Sequence, residues 1–256
     1  MSSIAVIGDI HGCIYTFDKL LNSIEQRFSD VRYLSLGDII DRGVGIVDTV
    51  NLCMELEKEG RFEMVRGNHE DVMLAYTEMS IAYNYEQWMK YGGKESLSSF
   101  SGNMLDKKLA LGTNTLNDFL PYFEPYKEFF YRAKYKISYE FPQNKFLFTH
   151  SGVGPSLGEK FHVNDYKMRD SHLFMWSRDT WEAERPYFGY SMVYGHTPTR
   201  EVAVHDDPYS PFVNINDRGE LVGVSVDTGC IYGYSLTAMM IDESGEFEFI
   251  SERKID

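Results

Sequence analysis

The sequence predicts an α/β fold with a parallel sheet at its start, on three observations. Apolar runs alternate with stretches of helical period along the first third of the chain. A later region carries short β-branched or aromatic segments separated by turns. At 256 residues, 43% hydrophobic and 25% charged, the chain is long enough to bury a proper core without disulfides.

Ile4 to Ile7 reads as a buried strand from its unbroken apolar run. From Tyr15 to Phe28, apolar residues fall at Phe17, Leu20, Leu21, Ile24 and Phe28, the spacing of one helix face. Val31 to Leu36 is the second strand. Ile46, Val47, Val50, Cys53, Met54 and Leu56 mark a second amphipathic helix, closed by Gly60. Phe62 to Val65 is the third strand. This βαβαβ order implies parallel pairing with helical crossovers.

Residues 72–135 are rich in Tyr, Phe, Met and Leu at helical period, with a break at Gly92-Gly93 and stops at Pro121 and Pro125. They are expected to form a helical cap insertion within a single domain spanning 1–256, since no low-complexity linker sets them apart. Strands are then expected at Lys145 to Phe148, Ser191 to Tyr194, Leu221 to Val226, Leu236 to Ile241 and Glu246 to Ile250. Asp242-Glu243-Ser244-Gly245 reads as a hairpin turn between the last two.

The net charge of −14 argues against a broad nucleic-acid or anionic-membrane surface, but not against a phosphate substrate held by cations. The cysteines Cys13, Cys53 and Cys230 are scattered, without a CxxC pair, and nothing resembles a secretory leader. The expectation is a reduced, cytoplasmic protein. No apolar run reaches the roughly 18 residues of a membrane span.

Five motifs, each directly after an apolar run, carry the chemistry: Gly8-Asp9-Ile10-His11-Gly12, Gly37-Asp38-Ile39-Ile40-Asp41-Arg42-Gly43, Gly67-Asn68-His69-Glu70, Thr149-His150-Ser151-Gly152 and Tyr194-Gly195-His196-Thr197. Ligands collect at the carboxyl ends of strands in such sheets, so Asp9, Asp38, Asn68, His150 and His196 can meet at one edge. Their mixed oxygen and nitrogen donors suit a pair of divalent transition metals. Singly, a Gly-Asp after a strand is usually a turn, and a histidine there a hydrogen-bonded loop residue. The joint pattern is what signals a site.

In this order the motifs resemble the calcineurin-like metallophosphoesterases. More narrowly they resemble the phosphoprotein phosphatase branch, with bacterial and phage serine/threonine phosphatases and symmetrical diadenosine tetraphosphatases. Trp88-Met89-Lys90-Tyr91-Gly92-Gly93, Met175-Trp176-Ser177-Arg178 and Val226-Asp227-Thr228-Gly229-Cys230 add to the match, which spans Ile4 to about Ile241. The resemblance implies a metallophosphoesterase-type β-sandwich flanked by helices, with a helical cap. It implies that Asp9 and His11 hold one metal, that Asp38 bridges, and that Asn68, His150 and His196 complete the second. A hydroxide shared by the metals would attack phosphate in line. Arg42 and Arg178 would clamp phosphate oxygens, His69 would protonate the leaving oxygen, and Asp41 would orient His69. Manganese is the implied metal, with iron or zinc also suited to the donors.

The implied activity is a serine/threonine protein phosphatase. Symmetrical bis(5'-nucleosyl)-tetraphosphatase activity is the alternative. It would call for a basic, aromatic pocket, which Lys90, Lys94, Lys107 and Lys108 of the cap could build. A non-catalytic metal-holding module is the third reading, opposed by the intact His69, Asp41, Arg42 and Arg178. Two departures stand out: Ser151 where many relatives have alanine, and Tyr232-Gly233-Tyr234 where tetraphosphatases tend to carry tryptophan. The second tilts toward a phosphomonoester.

Remaining residues take structural readings. His162, His172 and His205 match no motif and are expected at the surface. Arg66 is expected in an ion pair, Cys13 as a packing residue, and Asp227 and Thr228 as shaping a strand end. Tyr83, Tyr85 and Trp88 are expected in the core of the cap.

Overall fold

The computed structural model describes residues 3–78, 85–113, 115–155, 173–202, 207 and 209–256. Tyr83, His162, His172 and His205 lie outside the described residues. The chain runs β1 (Ser3–Ile7), α1 (Ile14–Glu25), β2 (Val31–Ser35), α2 (Ile46–Lys58), β3 (Phe62–Met64) and α3 (Asn68–Thr77). Then follow α4 (Tyr85–Lys90), α5 (Gly93–Phe100), α6 (Asp106–Ala110), α7 (Leu116–Phe123) and α8 (Lys127–Arg132). The remainder is β4 (Lys136–Glu140), β5 (Lys145–Thr149), α9 (Leu173–Trp176), β6 (Ser191–Tyr194), β7 (Phe212–Ile215), β8 (Leu221–Ser225), β9 (Ser235–Ile241) and β10 (Phe247–Arg253).

The strands form two mixed sheets, ordered β10-β9-β1-β2-β3 and β4-β5-β6-β8-β7. In the first, β1, β2 and β3 run parallel, and β9 and β10 add antiparallel to β1. In the second, β5, β6 and β8 run parallel, with antiparallel β4 and β7 at the two edges.

The strand period of two assigns each side chain to a layer. Val6, Leu34, Phe146, Phe148, Val193 and Val224 pack between the sheets. Their neighbours Ala5, Ile7 and Tyr33 face the helical layer, where Phe17, Leu20, Ile24, Ile46 and Val50 of α1 and α2 meet them. Leu147, Met192 and Tyr194 face outward from the second sheet against Phe174 and Tyr187. The fold is thus an α/β sandwich flanked by helices, and the same alternation explains why both sheets read as near-continuous apolar runs.

Helices α3 to α8 lie between β3 and β4, and Trp88, Phe100, Phe119, Phe123 and Phe130 share the core of α1 and α2. Pro121 does not stop a helix as the sequence suggested; it lies inside α7. Burial of Phe119 and Phe123 on either side outweighs the lost hydrogen bond, and α7 ends two residues later. Pro125 opens a short 3-10 turn, Glu124–Tyr126. Two strands escaped the sequence reading, β4 and β7. Both are half-exposed sheet edges, so neither has an apolar run to betray it. The Asp242 to Gly245 turn joins β9 to β10, with Gly245 at φ 92°. Among the described residues, no helix is long and apolar enough to cross a membrane.

Candidate active site

Parallel strands deliver their following loops to one edge. Asp9 follows β1, Asp38 follows β2 and Asn68 follows β3, while His150 follows β5, His196 follows β6 and Asp227 follows β8. All six side chains are buried, and they converge across the two sheets. The loops are tight. Of the non-glycine residues with positive φ, His11, Asp38, Asp41, Arg42 and His196 are all site residues. Such backbone costs energy and concentrates at functional loops.

Asp38 is the hub. Its Oδ2 lies 3.3 Å from His150 Nε2, 3.7 Å from His11 Nε2 and 3.7 Å from His69 Nε2. Asn68 Oδ1 lies 2.9 Å from both His150 Nε2 and His196 Nδ1. Two ligand groups therefore share Asp38: His11 with His69, and His150 with His196, each group's donor atoms within 4.8 Å of one another. Asp9 stands apart from both triplets. Its carboxylate accepts the His196 backbone N–H at 3.2 Å, and a Cβ on Gly195 would sit 2.2 Å from its Oδ1, so only glycine allows this approach.

Electrostatics test whether these residues fit cations. Burial, then the neighbouring Asp227 carboxylate, pushes Asp9 well above the usual carboxylate range. Burial raises Asp227 to about 6. Burial alone would raise Asp38 too, but the imidazoles of His150 and His69 outweigh it and hold Asp38 well below its ordinary value. His150 is driven the other way. Burial opposes its charge, yet Asp38 raises it to about 10, and both ring nitrogens face oxygens, Nδ1 the Leu36 carbonyl at 2.8 Å. Burial lowers His11 and His196, and the Nε2 of His196 is buried without a partner. Burial and neighbouring carboxylates that push Asp9 and Asp227 up, beside a buried imidazole nitrogen without a partner, mark a cluster short of positive charge and fit divalent cations.

Arg42 is pinned beside this cluster. Its Nη1 donates to His11 Nε2 at 3.0 Å and to the Tyr232 hydroxyl at 3.1 Å, and its Nη2 donates to His69 Nε2 at 2.9 Å. His69 Nδ1 donates to Asp41 Oδ2 at 2.7 Å. Asp41 is fully buried and also accepts from Trp88 Nε1 and the Ser96 hydroxyl. The Trp88 to Gly93 stretch thus wraps the Asp41-Arg42 loop, with the Gly92 carbonyl accepting the Arg42 N–H at 3.3 Å. Arg178 sits at the rim, its side chain 61% exposed and its Nη1 3.8 Å from Glu201.

Three residues had more to do than the sequence suggested. Glu70 accepts the N–H groups of Asp38 (2.8 Å), Ile39 (2.9 Å) and Gly67 (2.9 Å), tying the β2 loop to the start of α3. Burial, then Asp38, raises it to about 7. Its place three residues after Gly67 at a helix start was a readable capping signal. Asp227 lines the cleft beside Asp9, and the strand-end rule that found the candidate ligands applied to it as well. Trp88 is core, as expected, but also donates to Asp41. Thr228 does tie the strand end, bonding the Ser235 carbonyl at 2.7 Å. Arg66 has the expected ion pair, Asp71 at 3.4 Å, and adds the Tyr135 hydroxyl at 3.0 Å. Cys13 is buried in the core, beside Cys230. The cap lysines do not line the cleft; Lys108 pairs with Asp118 at 2.6 Å.

A buried cluster of carboxylates and imidazoles at the carboxyl edges of two packed sheets, beside a fixed guanidinium, defines a metal-dependent phosphatase. The family model of the calcineurin-like phosphoesterases matches residues 2–219, and the chain belongs to that family. It is 28% identical over 255 residues to a bis(5'-nucleosyl)-tetraphosphatase PrpE [asymmetrical] of Bacillus cereus, covering 93% of this chain and 90% of the relative. It is 39% identical to a protein phosphatase 2A catalytic chain of Dictyostelium discoideum, but over 71 residues, 27% of this chain and 22% of that one. Among solved structures, a protein serine/threonine phosphatase from Saccharomyces cerevisiae superposes with a TM-score of 0.57 at 16% identity, covering 100% of this chain and 80% of that one. A cold-active protein-tyrosine phosphatase from a Shewanella species gives 0.55 at 12% identity, covering 99% and 80%.

Proposed function

We propose that the protein hydrolyses phosphoesters and phosphoanhydrides by direct in-line attack of water, with no phosphoenzyme. The observation that carries this reading is Arg42, whose fork touches both His11 and His69. A phosphate on that fork would lie between the ligand cluster and a proton donor. Asp9 and His11 would hold one cation, Asp38 would bridge, and Asn68, His150 and His196 would hold the second. When bound, the pair supplies Lewis acidity and makes water nucleophilic at neutral pH. Manganese is the proposed metal, with iron or zinc suited to the same donors.

The chain's own residues do the rest. Arg42 and Arg178 bind and orient the non-bridging oxygens through paired N–H groups. As the new P–O bond to water forms, the bond to the leaving oxygen breaks, and His69, in the form that carries a proton on Nε2 in place of the Arg42 contact, delivers that proton to the leaving oxygen. Asp41, itself held by Trp88 and Ser96, keeps the His69 ring oriented through Nδ1.

The preferred substrate class in this reading is a dinucleoside polyphosphate. Support comes from relatives matched over nearly their whole length, which are named for that hydrolysis, in its asymmetrical form. The phosphoserine or phosphothreonine reading is second, supported by the shorter likeness to a protein phosphatase 2A catalytic chain. Manganese-loaded protein should be given diadenosine tetraphosphate and a phosphothreonine peptide side by side, each with a chelator control. Faster, chelator-sensitive nucleotide turnover is expected. Faster peptide turnover reverses the order, and no chelator-sensitive turnover of either sinks both substrate readings.

A further inference from the structure

A file of alternating arginines and tyrosines runs from the cleft to the surface. The Arg42 guanidinium carbon lies 5.8 Å from the centre of the Tyr232 ring, and that of Arg200 lies 4.7 Å from the same ring. The two guanidinia are therefore no farther apart than the sum of those distances. Arg200 is also 5.3 Å from the Tyr234 ring, and its Nη1 donates to the Tyr234 hydroxyl at 3.3 Å. Tyr234 meets Tyr209 edge-on at 5.2 Å, and Arg253 stacks on Tyr209 at 4.3 Å. Tyr232 is 46% exposed and Tyr209 38%.

This concentration of cations stands out in a chain of net charge −14. The tyrosines fix the Arg200 plane by cation–π contact and a hydrogen bond, so little side-chain freedom is left to lose on binding. Among the described residues, Glu201 is the carboxylate that faces the arginines here, 4.0 Å from Arg200 Nη2 and 3.8 Å from Arg178 Nη1, while Asp207 accepts the Tyr209 backbone N–H at 3.0 Å. At those distances Glu201 moderates both charges without a hydrogen bond to either, so Arg200 keeps the Nη2 donors that Tyr234 does not take.

We propose that Arg200, held by Tyr232 and Tyr234, forms a second anion subsite for the phosphate adjoining the scissile one in a nucleoside polyphosphate. The inference rests on the hydrolysis reading above, in that Arg42 marks the scissile phosphate. The planar fork suits phosphate. Beyond it the partly exposed Tyr209 ring, stacked by Arg253, adds aromatic surface next to the subsite. In this proposal the basic, aromatic surface that the sequence reading looked for on the cap would come from the loops after β6 and β8.

Titration calorimetry on manganese-loaded protein, with manganese in excess of all phosphate, would compare tripolyphosphate, orthophosphate and a phosphothreonine peptide with an acidic neighbour. Wild type should bind tripolyphosphate at least about tenfold tighter than orthophosphate, and Arg200→Gln should collapse that preference, while Arg200→Lys keeps part of it. An unchanged preference in Arg200→Gln overturns the proposal. So does a loss confined to the phosphopeptide, which would make the subsite a reader of acidic peptides. Thermal melting of each variant excludes misfolding as the cause. Because the readout is binding, a wild type that binds in this pattern but turns nothing over would sink the hydrolase reading and leave the subsite standing.

Discussion

The indole of Trp88 donates to the carboxylate of Asp41, with Nε1 3.0 Å from Oδ2, although the two are far apart in sequence and on different elements. Asp41 in turn holds His69. The helical segment after β3 is thereby coupled to the proposed proton donor. Trp88→Phe keeps the buried ring but removes one donor from a buried carboxylate, a loss of about 1–3 kcal/mol. The variant should melt lower, and its turnover of poor leaving groups should fall more than that of p-nitrophenyl phosphate.

If His69 protonates the leaving oxygen, His69→Asn should slow alkyl phosphate hydrolysis by about 10²–10⁴-fold. p-Nitrophenyl phosphate, whose leaving group needs no proton, should be far less affected. Metal content, read by elemental analysis, should stay close to wild type. Turnover of a poor leaving group that survives the change would remove His69 from the acid role.

Gly92 sits at φ 101°, and a Cβ there would lie 2.6 Å from the backbone nitrogen of Arg42. Gly92→Ala therefore strains its own backbone by about 1–2 kcal/mol and pushes on the loop that carries the guanidinium. The expected result is a rise in KM for phosphate substrates together with a lower melting temperature. An unchanged KM would mean that Arg42 is held by its histidine and tyrosine contacts alone.

Glu70 satisfies three backbone donors with one buried carboxylate. Glu70→Gln turns an amide N–H₂ toward N–H groups and should cost about 1–3 kcal/mol in urea unfolding. Because those donors belong to the Asp38 loop, metal affinity should fall with stability. A variant as stable as wild type would contradict this account of the loop.

The β9–β10 turn carries a pH signature. The Ser244 hydroxyl, then the backbone N–H groups of Ser244, Glu246 and Gly245, hold the Asp242 carboxyl below its ordinary value. A depressed carboxylate stabilises the fold above its unfolded pKa of about 3.9, and that contribution is lost as pH falls through the folded value. The urea midpoint of Asp242→Asn should thus lie slightly below wild type at pH 7. The gap should narrow as the pH falls below about 4. A gap that widens on acidification would refute the assignment.

Local pattern determined much of this protein. The apolar runs and helical spacings placed β1, α1, β2, α2 and β3, because periodicity is a property of neighbouring residues. The motifs after those runs marked Asp9, His11, Asp38, Asn68, His69, His150 and His196, and the parallel order of the strands brings them to one edge. Tertiary structure alone decided the contacts between segments remote in sequence. It set Asp227 against Asp9, Trp88 against Asp41 and Arg200 against Tyr232, and it made edge strands of β4 and β7. None of these leaves a local trace, since each depends on how two sheets pack and which loops then meet. The residues of the candidate site were legible where they lie beside their strand, and hidden where a neighbour arrives from another part of the chain.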